Sequence, residues 1–177
     1  LGANGSHQVD LLRWWLGEVA WVTGAAPVVV PDRRDKASGE PWTATADDVA
    51  YFTAEMASGA VAQVFLSGVA ARTTGNLTQI FGSAGTLTLS NDDETLWLAR
   101  GTAPFENITE ADSNASLPGV NAGIWNVSVV ALMQELAAAI RERRQPQRGA
   151  TFVDGLANQQ VLDAVRLSGA ERRWVRP

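Results

Sequence analysis

Cysteine is absent from this chain, and histidine occurs only once among its 177 residues. Without cysteine there is no disulfide framework, no thiolate zinc site and no cysteine nucleophile. A single histidine also excludes a metal site built from several imidazoles within the chain. We therefore expect no metal site in this protein.

Positive charge and long apolar runs are scarce as well. The 14 lysines and arginines are outnumbered by 19 aspartates and glutamates, which leaves a net charge of -5. Because nucleic acids and anionic membranes attract clustered positive charge, we expect neither as a partner. No run of about 18 apolar residues is present, so no membrane-spanning helix is predicted. No signal peptide is recognisable, and we expect a cytoplasmic protein.

The rest of the composition is typical of a globular domain. Hydrophobic residues make up 46% of the chain and charged residues 19%. A chain of this length can bury a substantial core. Neither an internal repeat nor a domain linker is visible, so residues 1–177 are interpreted as a single domain.

Helical periodicity occurs near the start of the chain and in its last third. Apolar residues at helical spacing predict helices over 6–16, 127–143 and 154–168. For the first helix, Asn4 or Ser6 can cap the start, and Gly17 stands where a helix-ending glycine belongs. Asn126 can cap the second helix. The expected inward-facing residues of the third are Leu156, Val161, Ala164 and Val165.

A period of two dominates residues 47–100, between the first and second predicted helices. Turn residues such as those at 58–59, 82–85 and 91–93 divide this stretch into hairpins, which predicts an antiparallel sheet. One face is expected to be apolar, and the mixed face can be open to water or to a partner. An extended segment over 19–30 precedes the hairpins.

Two polar stretches are interpreted as loops, and the chain end as a short strand. Residues 31–46 are expected to form a surface loop with Trp42 as a possible anchor. Residues 101–125 predict a long loop, a kind of segment that is usually functional or mobile. Residues 172–176 are a candidate last strand.

His7 is the first candidate for chemistry. The helix prediction places it at or just before a helix start, where backbone N–H groups favour a neutral imidazole. A neutral imidazole can act as a general base or a hydrogen-bond donor near neutral pH. The structural alternative is an imidazole bonded only to backbone, and one histidine alone does not decide between the two.

Other motifs carry weaker functional signals. The Gly-Ser-Ala-Gly stretch at 82–85 lies between two predicted strands, so it indicates a hairpin turn and not a nucleotide loop. Asp47 and Asp48 can be read as metal or acid–base carboxylates, or as a solvated turn before a strand. No Gly-x-Gly-x-x-Gly motif is present, so the chain itself predicts no dinucleotide site.

The order of these elements resembles the C-terminal domain of the Gfo/Idh/MocA oxidoreductases, which include glucose-fructose oxidoreductase and inositol 2-dehydrogenase. Residues 5–18 are similar to the family helix G-x-H-x-x-D-x-x-R-W-L-x-G. Three later segments also fit: Asp47-Asp48 leading to the 58–60 turn, the I-x-G-x-x-G-x-L-like hairpin at 80–87, and the closing helix at 152–168.

The resemblance implies an α+β fold with a largely antiparallel open-faced sheet and helices packed on one face. It implies that NAD or NADP binds to an N-terminal Rossmann domain that is absent from this chain. Hydride transfer then occurs at a CH–OH group of a sugar, cyclitol or related polyol. The open sheet face commonly forms the oligomer interface, so a homodimer or homotetramer is expected.

The resemblance also assigns roles to individual residues. His7 matches the family histidine that shares proton transfer with a lysine of the first domain. Many members carry an aspartate four residues before this histidine, where this chain has Ala3. Asn4 and Asn76 are candidates for binding substrate hydroxyls, whereas Asp10 is expected to pair with Arg13 or with backbone.

The leading hypothesis is therefore the substrate-binding and dimerisation domain of an NAD(P)-dependent oxidoreductase. The chain alone is expected to be inactive, because it lacks both the cofactor site and the catalytic lysine. One alternative is an NAD-assisted glycosidase of the same superfamily. The other is a non-catalytic module for sheet-mediated dimerisation or regulation.

Overall fold

The computed structural model describes residues 1–73, 75–90, 94–121 and 123–177. The chain divides into two compact units, of which the first comprises Leu1–Ala71 with Ala150–Pro177 and the second Arg72–Gly149. In chain order the elements are α1 (Gly2–Leu16), β1 (Val19–Ala25), β2 (Asp32–Arg34), β3 (Pro41–Thr43), β4 (Val49–Met56), β5 (Val61–Ser67), β6 (Leu77–Gly82), β7 (Gly85–Ser90), β8 (Thr95–Arg100), β9 (Glu106–Asn107), a 3-10 turn (Ser113–Ser116), α2 (Ile124–Glu142) and α3 (Phe152–Glu171).

The first unit is an antiparallel sheet covered by two helices. Its strand order is β1-β4-β5, and α1 and α3 pack against it. The period of two in β4 buries every second side chain, and the side chains between them lie on the open face. The core consists of Val9, Val22, Phe52, Ala54, Met56, Val161, Leu162, Ala164, Val165 and Val175.

The first helix begins earlier than the sequence predicts. It starts at Gly2 with Leu1 at the N-cap and without a side-chain capping bond, so the expected cap at Asn4 or Ser6 is wrong. Ser6 instead donates its hydroxyl hydrogen bond to the Ala3 carbonyl at 2.9 Å. Packing of the helix against the sheet outweighs the low helix propensity of its glycines. The predicted end at Gly17 is confirmed, with a φ of 91° and an N–H bond to the Arg13 carbonyl.

The expected loop at 31–46 is wrong in part, because it contains a short hairpin. Strands β2 and β3 pair antiparallel, with Arg33 opposite Trp42. The Arg33 guanidinium lies 5.8 Å from the centre of the Trp42 ring, a favourable cation–π distance. Pairing across two three-residue strands thus orders a segment whose composition alone indicates a loop.

The second unit contains another antiparallel sheet, with the order β6-β7-β8-β9. The hairpins predicted for this region are confirmed, and the turn predicted at 91–93 lies outside the described residues. Gly85 is required by a close approach, since a Cβ there would lie 2.2 Å from the Ala99 carbonyl oxygen. The expected loop at 101–125 includes β9 and the 3-10 turn.

Both helices of the last third are confirmed and both are longer than predicted. Gly123 occupies the N-cap of α2 without a side-chain bond, so the expected Asn126 cap is wrong. In α3, Val161, Ala164 and Val165 are buried as predicted, but Leu156 is 63% exposed. The buried residues of α3 begin only at Asn158, because the preceding turns do not pack into the core.

The predicted C-terminal strand is reduced to one antiparallel bridge between Val22 and Val175. The two residues exchange backbone hydrogen bonds of 2.9 Å each. Within the described ranges, no helix combines the length and the apolar character that crossing a membrane requires.

Candidate functional site

His7 is the sixth residue of α1 and its side chain is exposed. The prediction that it lies at or before the helix start is wrong, because the helix already begins at Gly2. The influence of a helix end falls off within the first turn, so the argument for a neutral imidazole from that position does not apply. What remains is an exposed imidazole on a rigid helix.

The packing of α1 determines which way this imidazole faces. Gly5 and Val9 are the buried residues of the helix. A Cβ at Gly5 would lie 2.8 Å from the Leu1 side chain and 3.5 Å from Leu66, so glycine permits the close packing here. Asn4, one turn before His7, is also exposed. The two side chains therefore share the outer part of the helix surface.

A buried polar network fastens α1 to α3. Arg13 donates to Asn158 Oδ1 at 3.1 Å and to the Asp154 carbonyl at 3.2 Å. Asn158, only 8% exposed, donates through Nδ2 to Asp10 Oδ1 at 3.2 Å. Asn158 therefore bridges Arg13 and Asp10. The direct Asp10–Arg13 pair that the sequence suggested is not found among the described ion pairs.

Arg13 is also held from its other side. It donates twice to the Glu18 carboxylate, from Nε and Nη2 at 2.8 Å each. These hydrogen bonds lower the pKa of the Glu18 carboxyl and raise the pKa of Arg13. The network fixes the position of the helix that carries His7, and the sequence alone does not reveal Asn158 as its centre.

The sequence left open whether Asp48 is a functional carboxylate or part of a turn. In the structure its carboxylate has a structural role. Its side chain is 4% exposed and accepts hydrogen bonds from the N–H groups of Val29 at 2.7 Å and Val30 at 3.0 Å. Arg33 adds a third bond at 2.5 Å. These donors, above all the Val29 N–H, lower the pKa of the Asp48 carboxyl. The carboxylate thus anchors the segment that leads into the β2–β3 hairpin.

Asp47 faces a different environment from its neighbour. Its carboxylate bonds to the Leu1 nitrogen, and its Oδ1 lies 3.7 Å from Arg166 Nη2. Both side chains line a cavity of about 370 Å³ at the start of α1, and Asn4 lines it too. We call this space the α1 cavity; its other lining residues are Leu1, Gly2, Ala3, Ala46, Asp48, Val49, Ala50, Leu66, Ser67 and Gly68.

Two of the three candidate residues lie in the same element. Asn4 and His7 share α1, whereas the exposed Asn76 belongs to the second unit, just before β6. The sequence interpretation missed Arg166, although one signal was present: it is the only lysine or arginine within α3. No group of three or more potential metal ligands is found in the described part of the chain.

Comparison with known proteins identifies the fold. The family model of the GFO/IDH/MocA C-terminal domain matches residues 1–88, a range that includes α1 and the α1 cavity residues up to Gly68. An uncharacterized oxidoreductase of Synechocystis sp. is 24% identical, and the match covers 99% of this chain and 48% of that protein.

Two solved structures extend this comparison. An oxidoreductase domain protein from Kribbella flavida is 29% identical with a TM-score of 0.80, covering 99% of this chain and 50% of that one. Levoglucosan dehydrogenase in complex with NADH and L-sorbose is 20% identical with a TM-score of 0.82, covering 98% of this chain and 49% of that one.

This chain spans about half the length of the relatives that it matches. The match to their folds extends over nearly the whole chain and confirms the predicted α+β fold with antiparallel sheets and helices. The family model therefore identifies residues 1–88 as GFO/IDH/MocA C-terminal domain, and nearly the whole chain shares the fold of these related oxidoreductases.

Proposed function

We propose that this chain is the substrate-binding domain of an NAD(P)-dependent oxidoreductase that acts on a sugar, cyclitol or related polyol. The observation that carries the proposal is the exposed His7 on a fixed helix, inside the segment matched by the family model. In this role the imidazole accepts the proton of the substrate hydroxyl as the CH–OH carbon is oxidised to a carbonyl, and it returns a proton to the carbonyl oxygen in the reverse reaction.

The cofactor belongs to another part of the full-length protein. This sequence contains no Gly-x-Gly-x-x-Gly motif to hold a dinucleotide. The matched part of these relatives is only about half of their length. We propose that an N-terminal Rossmann domain, corresponding to the other half, binds NAD or NADP. Related structures named as NADH and NAD+ complexes support this assignment. The nicotinamide supplies the hydride chemistry, and this chain supplies substrate contacts and His7.

The sugar class of substrate is supported by the ligands of related structures. One is named as a complex with NADH and levoglucosan, and another as an aldose-aldose oxidoreductase. Net formation of NADH from NAD+ during turnover is expected for the dehydrogenase. Turnover without net NADH, accompanied by cleavage of a glycosidic bond, would instead support the NAD-assisted glycosidase.

Substitution of the histidine tests the proton-transfer role. In the full-length protein, His7→Ala should lower kcat by about 10²- to 10⁴-fold, the usual contribution of a general acid or base. Gln8→Ala, one residue further along the same helix, is the matched control and should keep its activity. Unchanged turnover of the histidine variant would leave a scaffold or regulatory role as the function of this domain.

We also propose that the open face of the β1-β4-β5 sheet joins copies of the protein into a homodimer or homotetramer. Four large apolar side chains on this face are solvent-exposed: Trp21, Tyr51, Val61 and Phe65. Clustered apolar side chains on a protein surface often mark an interaction site.

Light scattering tests this interface. Phe65→Glu places a charge on the open face and should shift the protein towards the monomer. Phe152→Glu is the control, because Phe152 is 100% exposed but lies at the start of α3. If the Phe65 variant keeps the oligomeric state of the unmodified protein, the open face is not the main interface.

A further inference from the structure

The α1 cavity combines charged, amide and apolar groups from separate parts of the first unit. Asp47 precedes β4, Arg166 comes from α3 and Asn4 from α1. The apolar side chains of Ala50 and Leu66 line the same space. A cavity built from several elements holds its lining groups in fixed positions, which is a requirement for selective ligand binding.

Asp47 and Arg166 retain hydrogen-bonding capacity in this cavity, although Asp47 Oδ2 already accepts a hydrogen bond from the Leu1 nitrogen. Asp47 and Arg166 are 3.7 Å apart, which is longer than a normal hydrogen bond. The Arg166 guanidinium also lies 3.5 Å from Asp163 Oδ1, again beyond that range. A guanidinium has five N–H donors and a carboxylate has several acceptor sites. A ligand hydroxyl can therefore donate to Asp47 and a second hydroxyl can accept from Arg166.

The charge balance indicates which class of ligand fits. The Arg166 charge is offset by Asp47 and Asp163, so a phosphate or other strong anion is disfavoured. A divalent cation is also disfavoured, because no cluster of three potential metal ligands occurs among the described residues. A neutral polyol fits better, since its hydroxyls can pair with Asp47, Arg166 and the Asn4 amide while its C–H groups contact Ala50 and Leu66.

The cavity lies close to the proposed proton-transfer group. Asn4 and His7 are three residues apart in α1, which corresponds to about 4.5 Å along the helix axis. This distance is within the length of a six-carbon polyol. One end of such a molecule can occupy the cavity while a hydroxyl further along the carbon chain reaches the imidazole.

We propose that Asp47 and Arg166 bind neighbouring hydroxyls of the polyol substrate and so determine its specificity, while its reacting carbon lies nearer to His7. This inference rests on the proposed function, because it names the site that holds the non-reacting part of the same substrate.

The test uses NMR titration of the full-length protein with a linear hexitol and with a cyclitol. Both should shift the amide signals of Asn4, Asp47, Ser67 and Gly68 in a saturable manner. Cyclohexanol, which has a comparable carbon frame but only one hydroxyl, should not. If neither polyol shifts these signals up to its solubility limit, the inference is wrong.

Two carboxylates provide a matched pair of variants. Asp47→Asn and Asp163→Asn each remove one acidic neighbour of Arg166, but only Asp47 lines the cavity. Loss of a charged hydrogen bond should weaken polyol binding by Asp47→Asn about tenfold or more, with Asp163→Asn unchanged. Equal weakening in both variants would show that Asp47 only positions Arg166 and would contradict direct binding by Asp47.

A third variant keeps the test decisive if Asp47→Asn does not fold. Arg166→Met retains most of the side-chain length without the guanidinium and should also weaken polyol binding about tenfold. Unchanged affinity in a folded Arg166→Met chain would overturn the inference. Failure here leaves the His7→Ala experiment unaffected, because that experiment measures turnover of the full-length protein and not binding in the cavity.

Discussion

Helices α2 and α3 are nearly equal in length, with 19 and 20 residues, but different interactions hold them. Six residues of α3 are buried. Of the α2 side chains that the structure describes, only Ala139 is buried, and apolar residues such as Met133 and Ile140 are 50% and 68% exposed. Similar helical sequence patterns thus lead to very different degrees of burial.

The ends of the two helices show the same contrast. α3 begins with a capping box, in which Thr151 and Asp154 satisfy each other's backbone N–H groups. α2 has no side-chain cap at its start, but Glu135 within the helix pairs with Arg144 just after its end. Glu135 accepts from Arg144 at 2.7 Å and from the Gln147 N–H at 2.6 Å. The stability of α3 therefore depends on burial, and that of α2 on hydrogen-bonded ions near the surface.

Truncation of matched leucines should give the largest difference between the helices. Leu162 in α3 is 3% exposed, whereas Leu136 in α2 is 42% exposed. Leu162→Ala should lower the free energy of unfolding by about 2–5 kcal/mol, because it leaves a cavity in the core. Leu136→Ala should cost less than about 1 kcal/mol. Urea unfolding of both variants measures the difference, and equal losses would contradict the contrast in burial.

A smaller effect is expected from the polar network of α3. Asn158→Ala should lower the free energy of unfolding by about 1–3 kcal/mol, because Arg13 and Asp10 lose a buried partner. Gln159→Ala is the control, since Gln159 is exposed and bonds to Asp163 on the same helix. In thermal unfolding, the melting temperature of Asn158→Ala should lie clearly below that of Gln159→Ala. Similar melting temperatures would mean that the network adds little to the attachment of α1.

The smallest effect should appear at low pH and concern α2. Bonds from Arg144 and Gln147 lower the pKa of Glu135 from 4.5 to about 2. A carboxyl whose pKa is lower in the folded state than in the unfolded state stabilises the fold at pH values above its unfolded pKa. For Glu135 this stabilisation is lost as the pH falls from 4.5 through about 2. Glu135→Gln should therefore be less stable than the unmodified protein at pH 6, with the difference vanishing near pH 2.

The control for this pH experiment is Glu142→Gln. Glu142 also bonds to Arg144, at 2.6 Å, but its side chain is 61% exposed. In this variant, the urea unfolding midpoint should still fall as the pH is lowered from 6 to 2, as it does in the unmodified protein. If Glu135→Gln shows the same pH dependence as the unmodified protein, the ion network does not stabilise α2.

Much of the fold follows from local patterns. The period of two predicts the hairpins of β4 to β8 because pleating places alternate side chains on opposite faces. The hairpin β2–β3 was not predicted from the sequence. Arg33 in β2 bonds to Asp48 and lies over the Trp42 ring, and neither contact is visible in the local residue pattern. The start of α1 was also misplaced, because packing of Gly5 against Leu66 is not visible in local sequence.

The candidate site was predictable to a similar extent. His7 and Asn4 follow from a short motif, since residues three apart on a helix are neighbours wherever that helix lies. Asp47 drew attention only as one member of an acidic pair, and the structure separates it from Asp48 by giving each carboxylate different partners. Arg166 could not be assigned to the site, because its position depends on how α3 packs in the first unit.

The sequence by itself determined the types of most helices and strands, the short motif that contains His7 and the resemblance to the Gfo/Idh/MocA family. These properties depend on residues close together in the chain, where spacing alone controls which side chains share a face. Only the tertiary structure decided that Asn158 bridges Asp10 and Arg13, and that Asp47 meets Arg166 across a cavity. Such contacts join residues that are distant in sequence, so they form only when packed helices and strands bring them together.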